Sequence, residues 1–114
     1  IHRALVEMWT VRRDSVREMR VLTELHILAR QNKRIRKACG EALQRACPQM
    51  IDTGLDQLPA MGLKPRVSVE IIPRLIMATL DGLALQQEID PVSPETESEM
   101  IRALQATTMA LFEL

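Results

Sequence analysis

Few side chains in this sequence are of the types that do chemistry, and together they form no recognisable catalytic set. His2 and His26 lie far apart, with no cysteine or acid at metal-ligand spacing, so a metal site is not expected. Cys39 and Cys47 are eight residues apart in a helical pattern, a rise of about 12 Å that a disulfide within one helix cannot span. The sequence shows no Ser-His-acid set and no glycine-rich phosphate loop. We therefore expect neither an enzyme nor a cofactor.

Three polar residues stand on otherwise apolar helix faces, namely Arg12, His26 and Thr79. A few polar groups converging on an apolar surface are typical of a ligand pocket. The chain has seven methionines but only one tryptophan and one phenylalanine. Because methionine adapts to varied shapes, this composition favours a largely aliphatic ligand whose acidic or hydrogen-bonding end is oriented by Arg12 or His26. The predicted ligand-binding residues are Met8, Trp9, Arg12, Met19, Leu22, His26, Met50, Met77 and Thr79.

Each of these residues also has a purely structural interpretation. Arg12 can lay its stem along apolar surface and carry its guanidinium to water. His26 can hydrogen-bond a backbone carbonyl within the core, and Thr79 can bond back to its own helix. The methionines can simply fill core. The sequence leaves these alternatives open.

The apolar periodicity predicts five helices and no strand. The predicted helix starts are Ser15 with Glu18 as a capping box, then Asn32, Ser68, and Ser93 followed by Pro94. The first helix is entered at residue 1 and runs to about 13, and the second covers about 15–31. Pro48 predicts a kink in the third helix, because proline removes a backbone donor and crowds the preceding turn.

The fourth helix, from about residue 69 to Ile89, is apolar around most of its circumference. Its charged residues form one narrow stripe of Glu70, Arg74, Asp81 and Glu88. Gly82 stands where alanine would be more favourable by about 1 kcal/mol, which is acceptable where another helix approaches closely. We therefore expect a homodimer built from the fourth and fifth helices. The predicted interface residues are Leu80, Gly82, Leu83, Met100, Leu104, Thr108 and Leu111.

Charge is unevenly placed along the chain. Residues 1–37 hold ten Lys/Arg and four Asp/Glu, a net of +6, and the remainder holds five and eleven, a net of −6. Since aromatic residues are not interleaved with the basic ones and the whole chain is neutral, we expect solvated helix faces rather than a nucleic-acid surface. No apolar run approaches the ~20 residues of a membrane span, and no signal peptide is recognisable. These features predict a cytoplasmic protein that does not contact membranes.

The segment Leu80-Asp81-Gly82-Leu83-Ala84-Leu85-Gln86, followed by Asp90-Pro91, resembles the penultimate helix of regulators of the tetracycline-repressor (TetR) family. The order of helices upstream resembles that family's ligand-binding domain. The resemblance implies one all-α domain over residues 1–114, a bundle of about five helices. In that family the last two helices form a four-helix interface with a second copy, and the ligand cavity lies among the helices that correspond to the first four here.

The family's N-terminal helix-turn-helix head is missing from this sequence, and we expect more chain before residue 1. The resemblance thus implies the effector-sensing domain of a transcriptional repressor. Such a domain binds a small, largely apolar ligand, dimerises, and controls DNA binding only through the missing head. The alternative is an all-helical dimerisation or protein-interaction module with no small-molecule ligand.

Overall fold

Five helices account for most of the chain, in agreement with the predicted all-α class. A computed structural model describes residues 2–53 and 57–113. The helices are α1 (His2–Asp14), α2 (Val16–Ala29), α3 (Lys33–Thr53), α4 (Ile71–Ile89) and α5 (Pro94–Met109). A short 3₁₀ turn at Pro59–Met61 lies between α3 and α4. No helix within these ranges combines the length and the apolar character needed to cross a bilayer.

Two of the four predicted helix caps are confirmed. The side-chain oxygen of Asn32 accepts hydrogen bonds from the backbone amides of Arg34 and Ile35, at 3.0 and 3.1 Å. Ser93 accepts from the amide of Thr96 at 3.2 Å, and Pro94 occupies the first helical position. Both residues use an oxygen acceptor to satisfy amides that the first turn of a helix leaves unpaired.

The helix start predicted at Ser15 is confirmed, since Ser15 occupies the N-cap position of α2. Its side chain makes no capping hydrogen bond, so the predicted capping box with Glu18 is not formed, and its amide donates to the carbonyl of Val11 at 3.0 Å. The prediction that Ser68 caps α4 is wrong. Ser68 donates instead to the carboxylate of Glu70, which precedes the first residue of α4. That bond lowers the pKa of the exposed Glu70 carboxyl, with a further contribution from a backbone hydrogen bond.

A two-stranded antiparallel ladder, which the sequence did not predict, joins the ends of the bundle. Strand β1 (Lys64–Pro65) pairs with β2 (Phe112–Glu113), Lys64 lying opposite Glu113. The Arg66 side chain reinforces the pairing, its Nε donating to the carbonyl of Phe112 at 3.0 Å. Helix α5 ends at Met109, and a turn of two residues leads from it into β2. Strands of two residues depend on contacts between residues far apart in sequence, which local periodicity does not reveal.

The core lies among α1, α4 and α5. It contains Leu5 and Trp9 of α1, four residues of α4 and two of α5, closed at one end by Leu58, Leu63 and Phe112. The α4 members, Ile72, Ile76, Leu80 and Ala84, repeat every fourth residue and so form one stripe along the helix. Burial of these side chains provides the main hydrophobic stabilisation of the domain.

Helices α2 and α3 form a hairpin that contributes no fully buried side chain within the described residues. They pack mainly on each other and meet α1 and α4 through smaller contacts. Arg20 of α2 forms an ion pair with Glu88 of α4, one of the ties between the hairpin and the rest of the bundle. Helix α3 continues through Pro48 to Thr53, and the kink predicted there stays a prediction. The hairpin therefore meets the main core only through partly buried side chains, among them Met19 and Met50.

Candidate functional site

An apolar cleft of about 680 Å³ opens between the α2–α3 hairpin and helices α1 and α4. Its apolar lining comes from all four helices and consists of Val11, Met19, Leu22, Leu25, Ile35, Ala38, Ala42, Leu43, Ala46 and Met77. Its polar lining is Arg12, Ser15, Glu18, His26, Cys39 and Asp81. This size and this ratio of apolar to polar groups are typical of small-molecule sites, which span roughly 300–1,000 Å³.

An ion pair between α1 and α4 forms part of the cleft wall. Arg12 Nε donates to Asp81 Oδ1 at 2.6 Å, and Arg12 Nη1 donates to the carbonyl of Met8 at 3.2 Å. The Arg12 side chain is 17% exposed and that of Asp81 is 34% exposed. The sequence-based alternative in which Arg12 carries its guanidinium to water is therefore wrong. The guanidinium is instead held inside the bundle by a carboxylate and a carbonyl.

The other two ionisable groups of the lining are carried by α2. Within the described ranges, Glu18 and His26 form no hydrogen bond or ion pair with another side chain or with the backbone. Both residues are exposed, so water satisfies them at present. The core-histidine interpretation of His26 is thus not what the structure shows. Both side chains are available to a molecule in the cleft.

Of the nine predicted ligand-binding residues, the cleft brings together five, namely Arg12, Met19, Leu22, His26 and Met77. The other four lie elsewhere. Trp9 is 2% exposed in the main core, where its indole nitrogen donates to Glu97. Met8 and Met50 pack half-buried against that core. Thr79 is exposed and its hydroxyl donates to the carbonyl of Leu75 at 2.8 Å, which is the structural interpretation considered for it.

Eleven of the sixteen residues that line the cleft were not predicted to belong to it. Six of them form the α3 wall, namely Ile35, Ala38, Cys39, Ala42, Leu43 and Ala46. Four come from α1, α2 and the residue between them, namely Val11, Ser15, Glu18 and Leu25. The last is Asp81, which the helical wheel placed in the charged stripe of α4. An acid in the middle of an apolar helix, together with an arginine on the apolar face of α1, was the available signal for this pair.

A side groove of about 360 Å³ extends the cleft between α2 and α4. It shares Met19, Leu22, His26 and Asp81 with the cleft and continues to Gly82 and Leu85. Arg30 lies at its α2 side. The cleft therefore has a second mouth next to the outer surface of α4.

That outer surface carries a heptad pattern of apolar and small residues. The exposed positions Ile71, Leu75, Ala78, Gly82, Leu85 and Ile89 are spaced alternately four and three apart, as in a coiled-coil seam. Ile89 is 76% exposed. A Cβ added at Gly82 would meet nothing within 4 Å, so the middle of this seam is open. We refer to these six residues as the α4 seam.

The seven residues predicted for the dimer interface differ in their burial and position. Leu80, Leu104 and Thr108 are buried in the chain's own core, so they lie beneath any seam with a second copy rather than in it. Leu111 lies beyond the end of α5, in the turn before β2. Gly82 is exposed within the seam. Leu83 and Met100 are half-buried and line a shallow groove of about 250 Å³ beside Ile89.

A second polar cluster, built on Glu97, joins α1 to α5. Glu97 accepts from the indole nitrogen of Trp9 and from Arg13 Nη1, the latter at 3.1 Å. Hydrogen bonds to Asp14 and Glu97, in that order, raise the pKa of Arg13 above the usual arginine value. This cluster fixes the position of α1, which also carries the Arg12 side of the cleft.

Within the described ranges, no group of three or more His, Cys, Asp or Glu residues is arranged to hold a metal ion. Comparison with family models, with curated proteins and with solved structures finds no match to this chain.

Proposed function

We propose that this chain is the effector-binding and dimerising domain of a TetR-like transcriptional repressor. In this proposal a small, largely apolar molecule occupies the cleft, and DNA is bound by a separate helix-turn-helix head. The observation that carries the proposal is the cleft itself, whose walls come from four helices and whose polar groups are few. The TetR part of the proposal rests on the resemblance of the α4 segment described above.

The packing of the α2–α3 hairpin supports a role in ligand binding. Because neither helix contributes a fully buried side chain, the hairpin can close on a ligand without opening the core of α1, α4 and α5. A ligand in the cleft would bury Leu22, Leu43 and similar half-exposed side chains that water now reaches. Each buried CH₂ contributes about 0.8 kcal/mol to such an association.

The α4 seam supports the dimerisation part of the proposal. Six exposed apolar or small positions in heptad spacing form the kind of seam along which two helices pack. The small residues Ala78 and Gly82 at its middle permit close approach of a partner helix. A second copy related by a two-fold axis would place the same seam opposite itself.

A ligand can regulate the head only by preferring one arrangement of the helices over another. Arg12 and Asp81 link α1 to α4 directly at the cleft wall. Contact of a ligand with this pair, or movement of the hairpin, changes how α1 lies on α4. In a TetR-like repressor the first helix of the sensing domain leads to the DNA-binding head, so this change would alter the separation of the two heads.

Titration calorimetry with a neutral eight-carbon probe, octanol, tests the ligand-binding part. We expect saturable binding that is weakened about tenfold or more by Ala42→Phe, because this substitution fills the cleft from α3. The matched control is Gln44→Phe, an exposed position on the same helix that does not line the cleft. Equal affinities of the two variants for octanol, or binding by neither variant nor the wild type, would argue against a ligand site here.

The second candidate function, an interaction module without a ligand, is favoured by the α4 seam alone. Sedimentation equilibrium distinguishes the two. A dimer that binds no small apolar probe would support the module, and a dimer that also binds octanol in the cleft would support the sensor. A monomer at micromolar concentration would remove the dimerisation part of both.

A further inference from the structure

We infer that the natural ligand of the cleft carries a protonated amine at its polar end, and that Glu18 with Asp81 receives it. This inference rests on the proposed function, since it specifies the chemistry of the molecule that the cleft would bind. It differs from the acidic end considered in the sequence analysis and assigns the polar end to carboxylates instead of Arg12 or His26.

The first reason is the balance of charges around the cleft. The lining contains one cation, Arg12, and two carboxylates, Glu18 and Asp81. His26 is counted as neutral at pH 7, so the formal sum over these groups is one positive and two negative charges. A walled site that is otherwise apolar strengthens the interaction of this excess negative charge with a bound ion.

The second reason is that the one cation is already engaged. Arg12 donates from Nε to Asp81 and from Nη1 to the carbonyl of Met8. A carboxylate ligand would therefore have to displace Asp81 from Arg12 and leave that acid half-buried without its partner. Leaving a partly buried charge unpaired is unfavourable, so the cleft disfavours anionic ligands.

The third reason is the position of Glu18. It lines the cleft from the first turn of α2, one turn before Leu22, and no side chain or backbone group in the described ranges donates a hydrogen bond to it. A protonated amine supplies three donors and a full positive charge to such a carboxylate. Its alkyl part would then lie along Leu22, Leu43 and Met77.

The test uses three eight-carbon probes that differ only in their polar end, namely octylamine, octanol and octanoate. Calorimetry at neutral pH compares their affinities for the wild type, for Glu18→Gln and for Glu24→Gln. Glu24 is the matched control, since it is an exposed glutamate of the same helix that does not line the cleft. Both variants exchange one exposed carboxylate for an amide, and circular dichroism checks that each retains the helical fold.

We expect octylamine to bind the wild type at least about tenfold more tightly than octanoate, because the Glu18 carboxylate attracts an ammonium group and repels a second carboxylate. Glu18→Gln should remove most of the advantage of octylamine over octanol, whereas Glu24→Gln should preserve it. Octanoate binding as tightly as octylamine, or an unchanged preference in Glu18→Gln, overturns the inference.

The octanol arm separates the two proposals. If octanol binds and Ala42→Phe blocks it while the amine shows no preference, the cleft is a ligand site and only the amine inference fails. If none of the three probes binds, the proposed ligand-binding function fails and the inference fails with it. If octanoate binds most tightly and Arg30→Gln removes this preference, the polar end of the ligand lies in the side groove. That result also overturns the inference.

Discussion

Arg12 Nε lies 2.6 Å from Asp81 Oδ1, joining the first and fourth helices across the wall of the cleft. Each residue stands on an otherwise apolar part of its helix, and each supplies the charge that the other needs. The pair is only partly solvated, so it both holds α1 on α4 and contributes the polar end of the cleft. In the proposed function, ligand binding and the position of α1 would therefore be linked through these two side chains.

A double-mutant cycle measures the free energy of interaction between Arg12 and Asp81. Arg12→Met keeps the aliphatic stem, and Asp81→Asn keeps the shape of the acid. We expect a coupling free energy of about 1 kcal/mol from urea unfolding of the two single variants and the double variant, since a charge-assisted bond is screened at a site this exposed. Coupling indistinguishable from zero would mean that the pair does not hold α1 on α4.

Glu97 is expected to matter for stability through Trp9. Glu97→Ala removes the acceptor of a nearly buried indole N–H, which should lower the free energy of unfolding by about 1–3 kcal/mol. Because Trp9 is the only tryptophan, the shift of the unfolding midpoint can be followed directly by its fluorescence. Glu99→Ala is the control, because Glu99 is an exposed position of α5 whose side chain has no hydrogen-bond or ion-pair partner among the described residues, and it should change stability by less than about 0.5 kcal/mol. Equal effects of the two substitutions would contradict the assigned role of Glu97.

The two cysteines offer a chemical probe of cleft occupancy. Cys39 lines the cleft and Cys47, on the same helix, does not, and both are free thiols with intermediate exposure. A saturating concentration of octanol should slow alkylation of Cys39 several-fold by covering it, and should leave Cys47 unaffected. Mass spectrometry of timed reactions with iodoacetamide gives both rates. Protection of neither cysteine, or of both equally, would mean that the probe binds elsewhere.

Charge placed in the α4 seam should abolish self-association. Leu75→Glu puts a carboxylate in the proposed interface, next to its middle, where desolvation without a partner is strongly unfavourable. We expect the dissociation constant of the dimer, measured by sedimentation equilibrium, to rise at least about a hundredfold, since residues near the centre of an interface carry most of the binding energy. Val21→Glu is the matched control, because Val21 is an exposed apolar residue of α2 outside the seam. Loss of the dimer in the control but not in Leu75→Glu would place the interface on α2.

The sequence predicted best those features that depend on neighbouring residues. Asn32 and Ser93 were identified as helix starts because an oxygen acceptor two or three residues before a free amide is a local arrangement. Ser15 has the same local pattern and α2 does begin after it, yet its side chain makes no capping hydrogen bond, and its amide donates to the carbonyl of Val11 at the end of α1. The influence of the preceding helix on a cap is not visible in a four-residue motif.

The main error of the sequence analysis was its assignment of which α4 residues face outward, and this error has a clear cause. Leu80 and Gly82 both lie in an apolar segment, but Leu80 is 0% exposed while Gly82 lies in the open seam. A helix that is apolar on two sides has no hydrophobic periodicity to distinguish core from outer face. The Arg12–Asp81 pair and the Pro65–Phe112 pairing depend on residues far apart in sequence, and they too required the tertiary structure.

The central claim, that the cleft among α1–α4 binds a small apolar molecule, is tested most directly by the methyl NMR signals of the seven methionines. Met19 and Met77 line the cleft, whereas Met61, 72% exposed, and Met100 do not. Titration with octanol should move the signals of Met19 and Met77 along one saturable curve and leave those of Met61 and Met100 in place. Shifts confined to Met61 or Met100, or no saturable shift at Met19 and Met77, would contradict the claim.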